Sequence, residues 1–149
     1  MFETYKFIHV LAALIWVGGS IMAQFFAARL SSADPAHRLG FAHDLRFAST
    51  RILVPAGIVV LLAGSLMVEA NAGFEYEDPF IAIGFLAVIV SLATALAFLI
   101  PATGRAIKLM KSGQGPAAGA LIRKVALTAR FVIVVMLVAV WAMVVKPGG

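Results

Sequence analysis

The sequence predicts an all-α protein, a four-helix transmembrane bundle running up-down-up-down, and three observations carry that reading. Apolar residues make up 62% of the chain and charged residues only 13%, about half the charge of a soluble domain. Mean hydropathy is +1.02. Four apolar stretches, residues 5–30, 52–70, 79–100 and 125–145, have about the length that covers a ~30 Å hydrocarbon core at ~1.5 Å per residue. Lipid offers the backbone no hydrogen-bond partner, so spans of this length must be helices. Without a repeat, low-complexity tract or long linker, residues 1–149 are expected to form one integral membrane domain.

The first span is too long for a signal peptide and lacks a small-residue cleavage site, so it is expected to be retained. Ser31-Ser32-Ala33-Asp34-Pro35 reads as a helix stop followed by a new start, with Asp34 as N-cap and Pro35 in the first turn. From Ala36 to Thr50 a polar helix should run into the second span. Asp78-Pro79 repeats the start signal for the third span, which is expected to kink at Pro101 and continue as a polar helix carrying Lys108 and Lys111. Gly113-Gln114-Gly115-Pro116 breaks the chain before the fourth span. Pro55 should free the carbonyl of Arg51 and bend the second helix.

The net charge of +5 is unevenly placed. Arg29, Arg38, Arg46 and Arg51 fall between spans one and two, and Arg105, Lys108, Lys111, Arg123 and Lys124 between spans three and four. The other connection carries Glu69, Glu75, Glu77 and Asp78 and no base. Lys and Arg in short loops mark the cytoplasmic face, so both termini are expected outside a bacterial inner membrane. The bases then suit anionic lipid headgroups, and nucleic-acid binding is a poor account of them. Arg51 and Arg130 should snorkel to headgroups or pair with Asp44. With no cysteine, disulfides, thiolate metal sites and Cys-attached haem are excluded.

At about 100° per residue, His9, Ala13, Trp16, Ser20, Ala23 and Ala27 share one face of the first helix. Gly57, Leu61, Gly64 and Val68 form a stripe on the second, and Gly84, Ser91 and Ala95 on the third. Small-residue stripes mark where membrane helices approach closely. His9 therefore points into the bundle, about 10 Å outward of the helix midpoint at ~1.5 Å per residue. An ionisable group so placed is a candidate functional residue.

Three roles suit His9. As an axial ligand to haem b it would be joined by Met67 or Met143 at matching depth, with Trp16 as a wall and Lys6 or Lys146 meeting the propionates. A copper site would use His9, Met67 and Met143, since imidazole and thioether suit Cu(I). The plainest alternative is a packing histidine satisfied by a backbone carbonyl or by Glu69. Met22, Met67, Met136 and Met143 also read as core filler, and Trp141 and Tyr5 as an outer aromatic belt. No nucleophile triad, phosphate loop, His-Glu-x-x-His or paired intramembrane carboxylates occurs, so soluble-type hydrolysis has no residues to use.

The run His9-x6-Trp16-x-Gly18-Gly19, closing with Arg29-Leu30 and followed by Arg51-Ile52-x-x-Pro55-Ala56 and Gly64, resembles the first two spans of the CopD-like group. That group holds the CopD copper-resistance membrane proteins, the HemJ protoporphyrinogen oxidases and the small four-span family DUF 2269, which this chain resembles over nearly its whole length. The resemblance implies a haem-linked role for His9. HemJ-type proteins also place a lysine in the third span, where this chain has none, so protoporphyrinogen oxidation is not carried over. The expectation is a membrane protein holding b-type haem or a similar redox cofactor at His9. Its rivals are an accessory subunit of a larger complex or homo-oligomer, and a copper or small-solute permease. The permease is weakened by the few intramembrane polar residues, His9, Ser20, Gln24, Ser65, Ser91 and Thr94.

Overall fold

Four continuous helices form where the apolar runs lie, and three of them extend well beyond those runs. The structure, a computed structural model, describes residues 1–29 and 32–147. Among these residues the helices are α1 (Phe2–Arg29), α2 (Pro35–Glu69), α3 (Pro79–Lys111) and α4 (Gly115–Val145), each long and apolar enough to cross a membrane. Leu30, the expected end of the first span, and Ser31 of the stop signal lie outside the described residues.

Helix α2 starts as its sequence indicates. Asp34 Oδ1 accepts from the backbone N–H of Ala36 at 3.0 Å and of His37 at 3.1 Å, with Pro35 in the first turn. The Asp34 carboxyl is held below its ordinary value, first by the backbone N–H of His37 and then by the His37 side chain. Asp78 departs from that pattern. Its side chain does not cap α3 but accepts from the backbone N–H of Glu75 at 3.0 Å, folding the acidic loop back on itself. Pro79 still opens the helix.

The prolines inside α2 and α3 are accommodated in one way. Residues Ser49–Leu53 form a π-turn ahead of Pro55, and Ala95–Leu99 form another ahead of Pro101. In each the residue before proline bonds five residues back, Val54 to Ser49 and Ile100 to Ala95. One extra residue in the turn moves the carbonyl that the proline ring would strike. Both helices therefore stay continuous across their prolines and carry a polar extension, Pro35–Ala48 ahead of Pro55 in α2 and Ile100–Lys111 around and beyond Pro101 in α3.

Helix α4 begins about a turn after the Gly113 turn, at Gly115 and not near Val125. Pro116 sits in its first turn, and Ala118 is fully packed away. The small Ala102 and Ala106 of the α3 extension are buried as well, and α3 and α4 stay together along this stretch. Arg123 and Lys124, which lie between the third and fourth apolar runs, are good helix formers and continue α4.

Neighbours in sequence are neighbours in space: α1 packs chiefly on α2 and α3 on α4, while α1–α4 and α2–α3 contacts close the ring. Trp16 lies at the centre with Ala12, Ala56, Val60, Leu92, Val132 and Met136. Gly57 lets this happen, because a Cβ there would stand 2.8 Å from Leu92 Cδ2 and 2.9 Å from Trp16 Cε2. A second cluster, Val68, Phe80, Ile81 and Ala142, fills the end near the acidic loop. Among the described residues the ion pairs are Lys6–Glu3 and His37–Asp34. Asp44 thus joins neither Arg51 nor Arg130.

Candidate functional site: a cavity beside His9

His9 reaches across from α1 to the backbone of α2. Its Nδ1 lies 2.9 Å from the carbonyl oxygen of Val60, which can only accept, so Nδ1 is the donor and, in the neutral ring, Nε2 is the nitrogen left with a lone pair. Gly64 makes room for the ring: a Cβ at that position would be 3.3 Å from His9 Cε1 and 3.4 Å from Nδ1. The glycine stripe of α2 thus seats two α1 side chains, Trp16 at Gly57 and His9 at Gly64, two turns apart.

His9 lines a cavity of about 540 Å³ in the half of the bundle nearer the acidic loop, with walls from all four helices. Trp16, Met67, Met143, Phe74 and Phe80 line the same space. Its residues are apolar apart from the imidazole. The mouth lies between α1 and α4, where Val10, Leu14, Leu137, Val140 and Val144 both line the cavity and remain exposed.

The candidate residues do not all converge. His9, Trp16, Met67 and Met143 do. Lys6 does not line the cavity; its Nζ lies 3.6 Å from Glu3 in an exposed pair one turn earlier on α1. Lys146, just past α4, places its Nζ 5.2 Å from the ring centre of Phe74 and 5.8 Å from that of Phe80, two wall residues. Met143 is wedged into α3, its Cε occupying the place a Cβ of Gly84 would take. Among the described residues no three His, Asp or Glu side chains gather as a metal site, so a bound metal would rest on one imidazole and thioethers.

Sequence reasoning missed the aromatic lid. Phe74 in the acidic loop and Phe80 in α3 meet edge to face at 5.9 Å, and Phe2 adds a tilted contact to Phe74 at 6.1 Å. A phenylalanine among acidic loop residues was the available signal. Comparison with protein-family models, curated proteins and solved structures finds no match to this chain.

Proposed function

We propose that this multi-pass membrane protein holds b-type haem in the cavity between α1 and α4, with His9 as axial ligand. One observation supports the reading above the others: an imidazole fixed at Nδ1 by the Val60 carbonyl in an otherwise apolar hollow. Metal-ligating histidines are commonly oriented by such a second hydrogen bond. The donor set also fits. Met67 on α2 and Met143 on α4 both line the same hollow as His9, and either would supply a thioether as second ligand. Trp16 would form a wall, and Lys146, beside the Phe74–Phe80 lid, would meet a propionate. When bound, haem supplies one-electron redox chemistry; the chain supplies a fixed imidazole, a dry enclosure and a surface cation.

In this reading the basic connections face the cytoplasm of a bacterium against anionic lipid headgroups, and both termini lie outside. The test is an absorption spectrum of the purified protein before and after dithionite. A Soret band that sharpens on reduction and is lost in His9→Ala supports haem. A colourless protein carrying copper by elemental analysis moves the reading to a His9–Met67–Met143 copper site. A colourless, metal-free protein from haem-replete cells ends the cofactor reading and leaves the accessory-subunit role.

A further inference from the structure

The basic half of the bundle encloses a second, smaller hollow of about 90 Å³. All four helices contribute, and the polar groups are Ser20 and Gln24 of α1, Arg46 and Ser49 of α2, and Thr103 of α3. Two of the three hydroxyls are occupied as donors: Ser20 donates to the Trp16 carbonyl at 2.7 Å and Thr103 to the Leu99 carbonyl at 2.8 Å. The remaining donors are the Gln24 amide, the Ser49 hydroxyl and the Arg46 guanidinium. Among the described residues none of these three side chains has a hydrogen-bond partner, and no carboxylate pairs with Arg46.

Arg46 is exposed, but its guanidinium is laid against α3 at the rim of the hollow. Its guanidinium lies over Gly104 of α3, where a Cβ would stand 3.4 Å from both Cζ and Nε. Ser49 is three residues on, where the π-turn begins, so the two share a face of α2. A planar fork of N–H donors, an amide and a hydroxyl around a hollow of about 90 Å³ match one tetrahedral oxyanion.

We propose that this inner hollow is a site for a single phosphate group, held by Arg46 with Gln24 and Ser49. The group is either free inorganic phosphate or the headgroup of an anionic phospholipid, and the test separates the two. The full-length protein in maltoside detergent, which carries no phosphate, is titrated with inorganic phosphate and, separately, with phosphatidylglycerol. Diacylglycerol and sodium chloride at equal ionic strength serve as controls, and the readout is the thermal unfolding midpoint.

Saturable stabilisation by either phosphate source, absent with the controls, is expected. Half-saturation should shift upward at least tenfold in Arg46→Gln and severalfold in Gln24→Leu. Arg51→Gln, an exposed arginine of the same helix that does not line the hollow, should stay within twofold. A response to inorganic phosphate assigns the free ion; a response to phosphatidylglycerol alone assigns the headgroup. Gln24→Leu keeps the test open if Arg46→Gln does not fold. No saturation with either source, or an equal loss in Arg51→Gln, overturns the proposal.

Discussion

A single glycine decides what His9 can do. The ring reaches the Val60 carbonyl only because Gly64, one turn further along α2, has no side chain to fill the space. Gly64→Val should push the imidazole off that carbonyl and destabilise the protein by about 1–3 kcal/mol, the usual result of overpacking. The checks are a lower unfolding midpoint in detergent and, for a haem-loaded sample, a shifted or weakened Soret band. Gly64→Ala should do less, since the ring need give way by only a few tenths of an ångström. That His9 faces inward was legible from its place on the Ala13–Trp16–Ser20 stripe. Its partner was not, because a carbonyl has no sequence signature and any of several along α2 lies within reach of a face-level reading. Met143 shows the same limit: its depth was legible, its insertion opposite Gly84 was not.

At the level of elements, starts were more legible than interiors. Asp34-Pro35 opens α2 as read, because a side-chain cap and a proline act within one turn. Its charge gives a pH dependence. The folded carboxyl has a depressed pKa, so its stabilisation of the first turn of α2 is present in full above the ordinary 3.8 and is lost as pH falls through the lower folded value. Amide exchange at Ala36 and His37 should therefore accelerate in that acid window, beyond the intrinsic pH trend, and Asp34→Asn should remove the step. The prolines were harder to read. The continuation of α3 past Pro101 was legible, but the π-turns that precede Pro55 and Pro101 were not. The choice between a kink and an extra residue in the turn is made by packing around the proline, which local sequence does not contain.

For the whole molecule, the number, order and hydropathy of the helices were plain in the sequence, since lipid leaves an apolar chain few alternatives. Which helix pairs with which depended on complementary shapes: Gly57 against Trp16 and Leu92, Gly84 against Met143. The early start of α4 escaped because charge argued for a loop while helix propensity and burial of Ala118 argued otherwise. The proposed orientation has a direct check, made simple by the absence of native cysteine. In intact spheroplasts an impermeant maleimide should label Ala72→Cys in the acidic connection but label Ser112→Cys only after permeabilisation. The reverse pattern would invert the topology.

Between the two hollows stands a partition built from Trp16, Ala56, Leu92, Val132 and Met136. Next to it along α3 is the buried Ser91 hydroxyl, without a hydrogen-bond partner among the described residues, and the partition itself holds no ionisable group. Such a wall insulates. A proton in one chamber would find no titratable side chain in this wall to carry it to the other.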